Sequence, residues 1–332
     1  MDVHMIRVTL YSHRFCLLVI YWGLFINNPL LGQEQAKIIT SDIDHFWNAY
    51  DQLANARKKS DSIDIIQKEY IDQASPQFRK FLKARKFTAP EYVAILARYP
   101  DFWLSIRPLT ENIVQRKEEI NRILDELSGQ LPHFKRPDIC FAIGCLRTGG
   151  TTSRHLILVG FEIAAANDWV DKSGMDDWLQ GVLGNTGDIV AMVAHEAVHT
   201  QQSGLPWGEI FSLIKHKRLT LLNMAIMEGS CDFITKDLLG ISINSVLHVY
   251  GEQHRNELIR EFDQAISEKP YDYSQWLYNG NNIKNRPADL GYYLGYLISR
   301  AFYQHSEFKS QALKTLLKRG KYKRVFKESE LY

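Results

Sequence analysis

Two histidines and a glutamate stand in the stretch AMVAHEAVHTQQSG, which runs from Ala191 to Gly204. His195 and His199 are four residues apart, so on a helix their rings share one face, a turn apart. Two imidazoles so placed can hold one Zn²⁺ from the same side. Glu196 is rotated about 100° from His195 and approaches such an ion without ligating it. The residues around all three are largely apolar. A buried imidazole or carboxylate costs free energy unless it has a partner. A metal ion is the partner that this spacing points to.

A catalytic zinc site has three protein ligands and a position left open for water. A glycine at 202 and a histidine at 205 would draw the third ligand from the same segment, but the chain has Gln202 and Leu205 there. The third ligand is therefore expected from a second helix. NMAIMEGSCDFITKDLL begins at Asn223, and Glu228 sits in it between Met227 and Gly229. A carboxylate in that apolar setting needs compensation, which a cation supplies. Asp232 lies four residues on, on the same face, where it can accept a hydrogen bond from a ligating imidazole and fix its tautomer. The plain alternative for Glu228 is a buried ion pair with Lys or Arg. Glu209 competes as a ligand, but it follows Pro206 closely, nearer a loop. In such a site Glu196 is the general base. A developing oxyanion needs a further donor. His254 and Tyr293, in polar segments that follow the ligands, are the candidates.

The elements that must position these side chains are mostly helical. From Ser41, a fair N-cap, to about Gln130 the pattern is amphipathic, with Ile43, Phe46, Trp47, Tyr50 and Leu53 at helical spacing. Further stretches cover about Ile63–Ala74, Pro76–Lys83, Ala89–Arg98 and Glu111–Leu127, with Pro100 and Pro108 separating the last two. Two strand-like runs follow, Asp138–Leu146 and Arg154–Ala164, joined by the turn-rich Gly149-Gly150-Thr151-Thr152. Helices then return. One carries His195 and His199, with Asn185 or Thr186 as cap and Gly204 with Pro206 as stop. Another covers roughly Leu219–Leu239. Helices, a few strands and more helices read as a helix-dominant α+β fold.

The chain has 332 residues and a net charge of +2, which excludes a nucleic-acid footprint. Arg7 and Arg14 flank the short apolar run Phe15–Ile26, which Asn27-Asn28-Pro29 ends and small Gly32 follows. That pattern reads as a signal peptide over residues 1–32, followed by one domain over 33–332. Within it, 33–130 is a helical scaffold, and 131–332 carries the strands and zinc-site helices. An uncleaved segment would instead leave the protein membrane-associated. The mature chain keeps Cys140, Cys145 and Cys231, too few for a disulfide framework. Cys140 and Cys145 are expected on opposite faces of one strand, unbridged.

HEAVH followed by EGSCD resembles the gluzincin pattern. More specifically, most of the mature chain resembles a family of uncharacterised predicted zinc-dependent proteases, whose relatives include gliding-motility lipoprotein B of bacteria. FWNAYD (Phe46–Asp51), YIDQAS (Tyr70–Ser75), GFEIAA, YGEQH (Tyr250–His254) and RPADLGYYLGY (Arg286–Tyr296) carry the rest of the likeness. The resemblance implies a zincin-like fold and a zinc metallopeptidase acting on peptides or proteins. Leu156–Glu162 would be the edge strand that aligns them. With the export signal, this places the expected activity in the periplasm or outside the cell. The chain departs from the lipoproteins in having no lipid-attachment cysteine. The competing expectation is a non-catalytic envelope or motility-type assembly protein that keeps the fold.

Overall fold

Apolar residues at helical spacing build the first half of the protein. The computed structural model describes residues 36–153, 155–185, 189–203 and 219–331. After a short strand, β1 (Ile38–Ile39), come helices α1 (Ser41–Gln52), α2 (Lys59–Ile65), α3 (Pro76–Arg85), α4 (Ala89–Arg98), α5 (Pro100–Glu111) and α6 (Lys117–Gln130). Ser41 is the first residue of α1, not its cap, and Thr40 before it makes no side-chain cap bond. Pro100 opens α5, where its missing N–H costs nothing. Pro108 lies inside the same helix, so the expected break at that residue does not occur. The carbonyl it leaves unbonded belongs to Leu104, a residue exposed to solvent.

Aromatic rings fill the space between these helices. Phe46 meets Tyr70 edge-on at 5.2 Å, and Tyr70 meets Tyr92 at 5.3 Å. Both tyrosine hydroxyls donate to the Ile143 carbonyl, at 2.7 and 2.8 Å, so the helical scaffold grips the segment leaving the sheet. Asp42 is buried and accepts from the backbone N–H and the hydroxyl of Ser75, at 2.8 and 2.6 Å, locking α1 to the start of α3.

The sheet has the order β1-β2-β4-β3, with β2 at Asp138–Ala142, β3 at Gly150–Ser153 and β4 at Leu156–Gly160. β2 pairs in parallel with β1 and β4, and β3 runs antiparallel to β4. This corrects two expectations. β4 is paired on both sides, so the edge strand beside the site helices is the polar GTTS segment, read from sequence as a turn. β2 ends at Ala142, and Cys145 lies in the loop beyond it. Cys140, Cys145 and Cys231 are all buried and free.

β4 passes directly into a short helix, α7 (Phe161–Ala164), whose Glu162 is fully buried. Its carboxylate accepts from the backbone N–H groups of Gly144 and Leu146, at 2.8 and 3.0 Å. Burial outweighs these bonds and lifts its pKa from 4.5 to about 7. The folded state therefore holds this proton more tightly than the unfolded chain. Stability falls as pH rises from about 4.5 to about 7, by up to about 3 kcal/mol from this group. Glu162→Gln is expected to flatten that slope in urea unfolding measured across the interval; an unchanged slope would show that the group titrates normally.

Beyond α7 come α8 (Asp177–Asn185), α9 (Ile189–Gln201), α10 (Leu221–Phe233), α11 (Ser245–Gln253), α12 (Arg255–Glu268), α13 (Gly291–His305), α14 (Lys309–Leu316) and α15 (Tyr322–Ser329). Helix-dominant α+β is the fold class that results. The described residues form one compact unit. The expected signal segment, its cleavage at Gly32, the stop at Gly204 and Pro206, and Glu209 lie outside the described residues. Among the described residues, no helix is long and apolar enough to cross a membrane.

Candidate metal centre

α9 is apolar all round, as a helix enclosed on every side must be. Every residue from Ile189 to His199 is buried except Glu196, which is partly exposed. The one acidic side chain of the run thus looks into an opening. β3 crosses beside it. A Cβ on Gly150 would stand 2.8 Å from Glu196 Oε1, so glycine is what lets the edge strand pass.

α10 brings the second half of the site, and α13 supports it by backbone contact. A Cβ on Gly229 would lie 2.1 Å from the Gly295 carbonyl carbon, and one on Gly295 would lie 1.7 Å from the Ala225 oxygen. Two glycines therefore set the helix spacing one residue away from Glu228.

The buried side chains converge. Glu228 Oε2 lies 2.9 Å from His199 Nε2 and 3.7 Å from His195 Nε2. The two rings stand edge to face, 4.8 Å apart. Asp232 Oδ1 is 3.0 Å from His195 Nδ1, an ion-pair contact set off the line of the ring N–H. Asn244 donates to the other oxygen, Oδ2, at 2.7 Å. Gln202 Oε1 lies 3.0 Å from His199 Nδ1. Among the described residues, the ion-pair partners of Glu228 and Asp232 are histidines: His195, His199 and, at 3.9 Å, His248.

The electrostatics call for a cation. Burial alone would pull the His195 pKa down, but Asp232 and Glu228 overcome it and lift the pKa to about 10. Burial would likewise raise Glu228, yet His199 and His195 hold it well below the carboxylate range. With acceptors facing both Nδ1 atoms, the two Nε2 atoms converge on the same carboxylate oxygen, and each of these contacts is favourable only with a proton or a metal ion between the partners. Zinc ligands in a tetrahedral site stand roughly 3.3 Å from one another, and the two distances from Glu228 Oε2 to the imidazoles, 2.9 and 3.7 Å, lie on either side of that value. The donor set fits zinc.

Cys231 belongs to the same cluster: one ligand atom each from His195, His199 and Cys231 lie within 4.8 Å of one another. Its Sγ, however, stands 3.2 Å from His199 Nδ1, the ring nitrogen opposite the one that faces Glu228. Burial, with Glu228 and Asp232 close by, pushes the thiol pKa well above its usual value. The Cys231 sulfur thus borders the edge of His199 that faces away from Glu228.

The structure does not bring His254 and Tyr293 to this cluster. His254 follows α11, stacks on Tyr250 at 4.2 Å and pairs with Glu257 at 3.6 Å. Tyr293 packs its ring on Gly251 and against His248. One residue of helical rotation separates it from Tyr292, which borders His195 at 6.4 Å between ring centres. A second tyrosine also reaches the cluster. Tyr278 is 47% exposed, and its hydroxyl donates to Glu228 Oε1 at 3.1 Å. Its backbone is left-handed, with φ of 54°, and the following turn is clasped by Asn279 and Asp289 through reciprocal bonds. Strain of this kind persists where surrounding structure enforces it, commonly at functional sites.

Residues 180–318 match the model of a family described as predicted Zn-dependent protease (DUF2268). The match takes in α9, α10 and α13, and with them His195, Glu196, His199, Glu228 and Asp232. The N-terminal helices and the sheet lie outside it. No curated protein and no solved structure matches the chain.

Proposed function

We propose that this chain is a zinc-dependent metallopeptidase of gluzincin type. His195, His199 and Glu228 are the metal ligands, Glu196 is the general base, and Asp232 stands behind His195. The observation that carries the reading is the meeting of two imidazole Nε2 atoms and one carboxylate oxygen beside the only partly exposed residue of Ile189–His199, Glu196. Zinc in that donor set polarises a scissile carbonyl and lowers the pKa of its bound water.

Glu196 takes the proton of the attacking water on its carboxylate and passes it to the leaving amine. Burial raises its pKa, which suits a base that must give the proton up again. The phenol of Tyr278, partly exposed beside Glu228, is the donor for the developing oxyanion, with Tyr292 bordering His195. A peptide or protein substrate lies along β3, the edge strand of the sheet. Export, read from the N-terminal pattern, sets this activity outside the cytoplasm. A binding or assembly protein built on the same fold has no use for a carboxylate at Glu196.

Metal content of purified protein tests the ligand set. Near one zinc per chain is expected in wild type and in Cys231→Ala, and little in Glu228→Ala. Zinc kept by Glu228→Ala and lost by Cys231→Ala would exchange the carboxylate for the thiolate. Wild type purified with zinc present but carrying none would end the proposal.

A further inference from the structure

Gln202 stands one residue beyond α9 and is buried. Its side chain crosses to α10. Nε2 donates to the Met227 carbonyl at 2.7 Å and to the Ser230 hydroxyl at 3.0 Å, and lies 3.4 Å from Cys231 Sγ. A carbonyl oxygen can only accept, so the amide nitrogen must be the end that faces Met227. Turned the other way, two oxygens would stand 2.7 Å apart in a buried site. The orientation of this amide is thus set by its neighbours and does not depend on how the imidazole is protonated.

That orientation leaves Oε1 facing His199 Nδ1 at 3.0 Å. An amide oxygen accepts and does not donate, so this contact is a hydrogen bond when Nδ1 carries the proton. Glu228 Oε2, 2.9 Å from Nε2, makes the same demand on the other nitrogen unless a metal ion takes the place of that proton, and the lone pair is then on Nε2. Cys231 agrees with this arrangement. Its Sγ is 3.5 Å from the Met227 oxygen, to which the thiol donates, leaving the sulfur to accept from Gln202.

We infer that Gln202 is the positioning residue of His199. It fixes the tautomer that presents Nε2 to the metal, as Asp232 does electrostatically for His195. The inference rests on the zinc reading for its purpose. The two histidines are supported unequally: a carboxylate stands behind His195 and a neutral amide behind His199.

The test uses Gln202→Leu and Ser230→Ala in the whole protein. Leucine removes the acceptor for Nδ1–H. Ser230→Ala removes one bond between Gln202 and α10 and leaves Oε1 at Nδ1, with the Met227 carbonyl still setting the amide. Two readouts apply: the zinc dissociation constant, and the ¹⁵N shift of His199 Nδ1 with the exchange protection of its proton. Expected are a protected Nδ1–H in wild type and Ser230→Ala with zinc bound, an unprotected one in Gln202→Leu, and zinc binding about 10-fold or more weaker in Gln202→Leu alone. A role confined to tying α9 to α10 would weaken both variants and leave the Nδ1 proton protected in both, and that result overturns the inference. If wild type takes up no zinc, the zinc reading fails by itself, and an Nδ1 shift in metal-free protein that Gln202→Leu moves and Ser230→Ala does not still decides whether Gln202 bonds this ring.

Discussion

Glu196→Gln is expected to keep one zinc per chain and to lose peptide hydrolysis by about 10²- to 10⁴-fold, the usual contribution of a general base. The glutamine is the same size, so it fits beneath Gly150 as the glutamate does. It has no basic oxygen to take a proton from water. The proposed zinc ligands are untouched, because Glu196 lies against Gly150 while His195 and His199 face Glu228. Zinc content and turnover of a quenched-fluorescent peptide library, measured on one preparation, separate the possibilities. Zinc lost together with activity would make Glu196 a ligand. Activity retained would place the base elsewhere, with Asp232 or an outside buffer as its source.

Gly295→Ala carries the largest expected structural effect. The added methyl would meet the Ala225 carbonyl oxygen at 1.7 Å, and backbone cannot turn aside as a long side chain can. α10 and α13 must move apart. Overpacking a well-filled core commonly costs about 1–3 kcal/mol and occasionally more. A clash with backbone on both sides belongs at or above the upper end, about 3 kcal/mol. For a chain of this size that lowers the melting temperature by roughly 5 °C. Because Glu228 adjoins Gly229 at the same crossing, zinc affinity should fall with stability. Gly181→Ala is the control: the site lies within α8 with nothing near the new methyl, so it should be neutral or slightly stabilising. Equal melting temperatures for Gly295→Ala and Gly181→Ala would mean that the crossing has slack.

The site helices were legible because charged side chains stand out in apolar surroundings. The spacing of His195, Glu196 and His199 located α9, and a lone carboxylate among methionines located Glu228. Gln202 gave no such signal. A neutral amide near a helix end reads as solvated, and only the carbonyl of Met227, 25 residues away, fixes which way it turns. Adjacent aromatics in GYYLGY cannot be assigned a face from sequence, and it is Tyr292, not the expected Tyr293, that borders His195. Tyr278 arrives on a left-handed loop that no periodicity marks. The edge strand was missed for a related reason. Gly150-Thr151-Thr152-Ser153 has the composition of a turn, and pairing with β4 makes it a strand. Pro108 stopped a helix on paper but not in the fold, since its cost falls on an exposed turn.

The crossing of α10 and α13 also bears on the order of events during synthesis. α10 ends at Phe233 and α13 begins at Gly291, about 60 residues later. At about 5–20 residues per second, the ribosome makes the metal-binding side chains roughly 3–12 seconds before the helix they rest on. In that interval α10 has no partner for the face at Gly229, and the carboxylate beside it has no fixed position. On the proposed peptidase reading, a site assembled this way would be complete only after α13 has emerged.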